Sequence, residues 1–172
     1  MKPHLLIALA SAVLLAACAH DRHPDKQIFH YNESAGIATL DPAFAKDQSI
    51  IWPCRQLYNG LVQLAVPPNA GADSTLQPMP SIARSWTISP DGLTYTFTLR
   101  TDVRFHPPVS RTVTASDFLY SFRRLTDPSV ASPGAWIMSN VGDMEAPDDT
   151  TFVIRLRTPF APFLSQLAMV YC

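Results

Sequence analysis

Several residues in this sequence are of types that do chemistry. His20 and His23 alternate with Asp21 and Asp25 in the stretch HDRHPDKQ, a donor set able to capture a metal ion. His30 stands on an expected strand and His106 beside two prolines, and each is a side chain suited to general-base work. Asp148-Asp149 brings two carboxylates together, and Cys18, Cys54 and Cys172 supply three thiols. Each has a plainer reading. The His/Asp stretch has no apolar period to fold it, so nothing would orient the rings, and it reads as a solvated tether. The Asp pair follows Pro147 in a turn, where short carboxylates bond their own backbone without a ligand. No GxSxG elbow, HExxH pair, P-loop or paired CxxC occurs. Neither histidine has a nucleophile to serve. The expectation is therefore no catalytic residue, no metal site, no cofactor and no enzyme.

Cys18 has a context of its own. Lys2 gives a positive start, Leu5 to Leu15 is apolar apart from Ser11, and Leu15-Ala16-Ala17-Cys18 follows. As a helix, Leu5 to Cys18 would reach about 21 Å, short of the roughly 30 Å hydrocarbon core of a bilayer. A signal-peptide core fits better than a permanent span. Small residues before a cysteine that closes an apolar run resemble a bacterial lipobox. That resemblance implies cleavage before Cys18 and lipid attachment to its sulfur, and more than one acyl chain would anchor firmly. Residues 1–17 are then signal peptide and 18–26 a lipidated tether. Cys54 and Cys172 stand open between two readings: a disulfide in an oxidising compartment, or two buried thiols.

Composition bounds the rest. The chain has 172 residues, Lys+Arg 13, Asp+Glu 14 and a formal net charge of −1, so it lacks the basic excess that nucleic-acid binding draws on. Hydrophobic residues make up 47%, too many for a disordered chain of this charge. Pro 16 against Gly 6 predicts many rigid turns and no glycine-rich phosphate cradle.

The elements that must position any site follow from periodicity. Gln27–Tyr31 reads as a short strand, and residues 32–47 as a loop turning at Leu40-Asp41-Pro42. Ile50, Cys54, Leu57 and Leu61 recur at helical spacing, and Asn59-Gly60 is expected to end that helix with Gly60 left-handed. Leu61–Leu64 reads as a strand and Val66–Pro80 as loop. Strands flanking Pro90-Asp91-Gly92 form a hairpin with Tyr95, Phe97 and Leu99 on one face and threonines on the other, which assigns Trp86, Tyr95 and Phe97 to the core. Thr114–Thr126 is a helix opened by a Thr114/Asp117 capping box, with Phe118, Phe122 and Leu125 buried and Arg123 and Arg124 facing water. Two strands surround Pro147-Asp148-Asp149, and an apolar helix runs through Phe163, Leu164 and Leu167. Strands and helices mix without a strict alternation, so the class is α/β with a mixed sheet.

Four phrases in order carry a family resemblance. LDPAFA with LYNGLV (40–45, 57–62), IARSWTISPDGLTYTFTLRTDVRFH (82–106), TASDFLYSFRRLTDP (114–128) and APDDTTFVIRLRTPFAPFL (146–164) resemble the extracellular solute-binding proteins of the oligopeptide, dipeptide and nickel class that serve ABC importers. One departure is local: the family's His-Asp-Gly after the Phe is here His106 before Pro107-Pro108.

The resemblance implies a type II periplasmic-binding-protein clamshell, of which residues 27–172 are the N-terminal lobe and subdomain only. It implies a peptide ligand, ABC permease subunits as partners, a membrane reached through the lipid anchor, no nucleic acid, and a place in the periplasm or at the cell surface. The alternative is a truncated or frameshifted gene remnant without binding activity. By the same resemblance, ligand contact falls to Asn32, Glu33, Ser34 and Ala35 and to a loop holding Gly134 and Trp136. Glu33 as a solvated loop carboxylate, and Trp136 as a packing residue, are the competing assignments.

Overall fold

The computed structural model describes residues 32, 35–71, 74–169 and 171. The expected strand Gln27–Tyr31, the tether and Cys18 lie outside them, as do Glu33, Ser34 and Cys172. The chain divides into two units, Met1–Glu33 and Ser34–Cys172, and only Asn32 of the first is described.

Alternation builds the central sheet. Strands β3 (Ala83–Ile88), β4 (Thr94–Leu99), β5 (Val141–Glu145) and β6 (Thr151–Leu156) assemble in the order β3-β4-β6-β5, all antiparallel. Because side chains alternate across a strand, Tyr95, Phe97 and Leu99 point one way with Phe152, Ile154 and Leu156, and all six are buried. Register places Trp86 opposite Phe97 and Phe97 opposite Phe152, so one aromatic row crosses three strands. The other face carries Ser85, Thr87, Thr94, Thr96, Thr98 and Arg155. Val153 lies on it too, yet is buried like its opposite-facing neighbours. The β3–β4 turn uses Gly92 at φ 71, a conformation that a Cβ would strain, and Leu93 N–H donates to Asp91 Oδ1 at 2.9 Å.

Of three helices, one lies across the sheet, a short one reaches it through Phe163, and one packs Ile50 and Cys54 with Ala45 in a separate small core. Helix α1 is Gln48–Leu57, α2 is Ala115–Thr126 and α3 is Phe163–Leu167. The expected capping box opens α2: Thr114 N–H donates to the Asp117 carboxylate at 2.8 Å. Phe118 and Phe122 on α2 set their rings 6.1 and 5.6 Å from Phe152, and Phe163 on α3 meets Tyr95 edge-on at 5.0 Å.

Three sequence expectations need correction. Helix α1 stops at Leu57 with an extended Tyr58, and among the described glycines only Gly92 has positive φ, so Gly60 is no left-handed cap. Leu57 is half-exposed and lies off the buried stripe of Ile50 and Cys54. Gln77–Pro80, expected as loop, is a strand, β2, paired antiparallel with β1 (Val62–Ala65) through Leu64–Pro78 and Val62–Pro80. Prolines cannot donate to a ladder, so QPMP reads as loop in sequence; a ribbon paired on one side tolerates them.

The α2–sheet contact should dominate stability. Phe122→Ala should lower the unfolding free energy by about 3–5 kcal/mol. Tyr120→Ala, on the same helix but 69% exposed, should stay within about 0.5 kcal/mol. Urea denaturation of both variants checks this, and equal losses would contradict the assigned faces.

Candidate functional site

In sequence, Asp41 follows the first nominated loop and Ser132 begins the second. Asp41 caps the 3-10 turn Pro42–Phe44, its Oδ1 accepting from Ala43 N–H at 3.1 Å. The same carboxylate takes two parallel hydrogen bonds from Arg124 at the end of α2, at 3.0 and 2.5 Å. Arg124 therefore does not simply face water: it is two-thirds covered, and its guanidinium also lies 5.9 Å over the Phe44 ring. The Arg124 hydrogen bond, above all, holds the Asp41 carboxyl below the usual carboxylate range. Sequence exposed the turn at Asp41 but not its partner, which stands 83 positions away.

A second side chain makes a parallel stitch. Ser132 is buried, at 8% exposure; its hydroxyl donates to Ala43 O at 2.5 Å and accepts from Gly134 N–H at 3.1 Å. Both ends of the Ser132 hydroxyl are thus satisfied, as a buried polar group requires. The loop carrying Ser132 then enters the 3-10 turn Ala135–Met138, which buries Ile137 and Met138 and leaves Trp136 half-exposed.

Of the nominated residues, Asn32 and Ala35 are exposed, and Glu33 and Ser34 lie outside the described residues. Gly134 is buried beneath the Tyr171 ring: a Cβ there would meet Tyr171 Cδ1 at 2.4 Å. Its N–H donates to Ser132 Oγ and its carbonyl accepts from Ile137 N–H at 3.0 Å, so both of its polar groups are engaged within the loop, whereas the Trp136 ring is half-exposed. Cys54 is a free, buried thiol whose Sγ donates to Leu40 O at 3.6 Å, and burial pushes its pKa up. Its suggested partner Cys172 lies outside the described residues. A cleft of about 200 Å³ also opens between the end of α1, residues 103–106 and α2, with Tyr58, Asn59, Phe105, His106 and Tyr171 in its walls. Of its walls, the sequence had singled out His106 and Asn59, but not their meeting in one cleft. Among the described residues no group of His, Cys, Asp and Glu is arranged to hold a metal, and no helix is long and apolar enough to cross a membrane.

The comparisons with known proteins agree with this architecture. Residues 77–172 match the model for bacterial extracellular solute-binding proteins, family 5 middle region. Di/tripeptide-binding protein 2 of Pseudomonas aeruginosa is 35% identical over 130 residues, covering 67% of this chain and 23% of that protein. The ABC transporter-associated periplasmic binding protein DppA from Helicobacter pylori, solved with peptide STSA, is 33% identical with a TM-score of 0.66, covering 80% of this chain and 28% of the other. The substrate-binding domain of an oligopeptide ABC transporter from Bacillus anthracis gives 28% identity and a TM-score of 0.71, covering 86% and 29%. The chain thus spans less than a third of the length of these relatives.

Two predictions follow from the stitches. Since the Asp41 pKa is depressed, its contribution is present above the ordinary unfolded value near ~3.9 and lost as pH falls through the folded one. Asp41→Asn should cost about 1 kcal/mol at near-neutral pH, with the gap to wild type closing on acidification. Thermal melts across that range test it, and a pH-independent gap would refute it. Gly134→Ala should cost about 1–3 kcal/mol through the Tyr171 clash, and adding Tyr171→Ala should recover part of the loss. Strict additivity in that double-mutant cycle would exclude the contact.

Through residues 77–172, and in the fold of their antiparallel sheet with its covering helix, this chain belongs to the bacterial extracellular solute-binding proteins of family 5.

Proposed function

We propose that this chain forms one wall of the ligand-capturing component of an ABC importer, with peptides as the ligand. The supporting observation is the family membership carried by residues 77–172, together with the likeness to structures solved with bound peptide. Residues 27–172 supply the N-terminal part of the solute-binding domain. Asn32, Glu33, Ser34 and Ala35 face the ligand, with Glu33 and Ser34 approaching its main chain, and Gly134 and Trp136 belong to the second contacting loop. Extended peptide held through its main chain leaves side-chain choice broad, as in strand addition. The loaded protein delivers its ligand to the permease subunits. Residues 1–17 direct export, and Cys18 carries the lipid that tethers the protein, through residues 18–26, to a membrane facing the periplasm or cell surface.

A clamshell gains affinity when two lobes close on the ligand and exclude water. One wall leaves the ligand's other side hydrated and its ordering cost uncompensated. Calorimetric titration of di- to pentapeptides into this chain alone should therefore show no tight binding, and a sub-micromolar constant would overturn the one-wall reading. Cys18→Ala should abolish partitioning into the detergent phase of cells expressing the chain, and unchanged partitioning would refute lipid attachment.

A further inference from the structure

The four asparagines of the sequence are Asn32, Asn59, Asn69 and Asn140, and three of them sit in well-described and very different surroundings. Asn140 is held on both ends of its amide. Its Nδ2 donates to Thr158 O at 2.7 Å, and its Oδ1 accepts from Thr158 N–H and Oγ1 at 3.2 and 3.0 Å. The branched side chain of Val141 follows it. Asn69 is exposed, but the next N–H, that of Ala70, is engaged with Pro67 O at 3.0 Å. Asn59 differs on every count. It is exposed, its side-chain amide bonds to none of the described residues, and the residue after it is Gly60. The main-chain N–H of Gly60 likewise donates to none of the described residues, whereas its carbonyl is fixed by Ile82 N–H at 3.2 Å. Chain direction just before is extended at Tyr58, so helical hydrogen bonding has already ended.

We infer that Asn59-Gly60 is a self-modification site, at which the Asn59 side chain is converted to a carboxylate with water as the only co-reactant. The Gly60 main-chain nitrogen attacks the Asn59 side-chain carbonyl carbon. An N–Cγ bond forms, the Cγ–Nδ2 bond breaks, and Nδ2 leaves as ammonia carrying the proton that the Gly60 nitrogen gives up. Water then opens the cyclic imide at either carbonyl, giving aspartate or isoaspartate. Glycine permits this because it has no Cβ to block the approach and the widest backbone freedom to reach the required angle. The product matters locally. Asn59 lines the cleft with His106 and Tyr58, so a second carboxylate joins Asp117 in its walls. The isoaspartyl form also lengthens the main chain by one carbon directly before Gly60 and Leu61, whose carbonyls accept from Ile82 and Ala83 N–H.

The test is incubation of the intact chain in mildly alkaline buffer, followed by peptide mapping that separates aspartyl from isoaspartyl forms. The expected result is loss of the amide at Asn59 with both acid forms accumulating, faster at higher pH, while Asn69 and Asn140 stay intact. Gly60→Ala should slow the loss. In urea, where local protection is removed, the preference for Asn59 over Asn69 and Asn140 should narrow. An intact Asn59, or loss at Asn140 or Asn69 that matches it in the folded chain, would overturn the assignment.

Discussion

One constraint underlies the rest: the alternating apolar face of β4 and β6 must be shielded from water, and α2, joined by Phe163 of α3 over Tyr95, shields it. Tyr95, Phe97, Leu99, Phe152, Ile154 and Leu156 leave the strands on the same side. Phe118, Phe122 and Leu125 recur on α2 at the spacing that lays them over that surface. The helix start is fixed by its capping box and its end by Asp127-Pro128, so its position along the sheet is set by sequence at both limits. Burial at this contact orients everything attached to α2, including Arg124.

The stitches to Asp41 and to the Pro42–Phe44 turn it caps are polar additions to that apolar frame. Arg124 reaches back to the cap of the Pro42–Phe44 turn and Ser132 to the turn itself, one as a charged fork and one as a neutral hydroxyl. Their energies differ in kind. The ion pair is one-third exposed and screened, so its strength is modest and depends on pH. The Ser132 hydroxyl is buried with both donor and acceptor roles met, and losing either partner would strand a polar atom away from water. Shape is thus specified by packing, and loop position by a few satisfied polar contacts.

Legibility followed the range of the interactions. The hairpin around Asp91-Gly92, the Thr114/Asp117 box and the faces of β4 and β6 depend on neighbours within a few residues, and their residue types announced them. β2 was hidden because QPMP carries two prolines, and its strand character comes from pairing with β1 rather than from propensity. Arg124 looked solvated because its partner Asp41 is remote in sequence. The stack of Tyr171 on Gly134 was invisible for the same reason: a bare glycine gives no sign of what fills its space. The nomination of Asn32 and Ala35 rests on family phrases alone, since neither residue has a local pattern of its own.

The passage from the β1–β2 ribbon into the larger sheet has a mechanical corollary. Ile82 and Ala83 N–H groups grip the carbonyls of Gly60 and Leu61, while Ile82 O takes Arg100 N–H at 2.9 Å. Main chain from three stretches is therefore knotted together within two residues, with no slack linker between the layers. Loads arising on one layer pass to the other through amide-to-carbonyl bonds in tension or shear, not through a pliable joint. If larger relatives bend to enclose their cargo, the pivot has to be sought away from this seam.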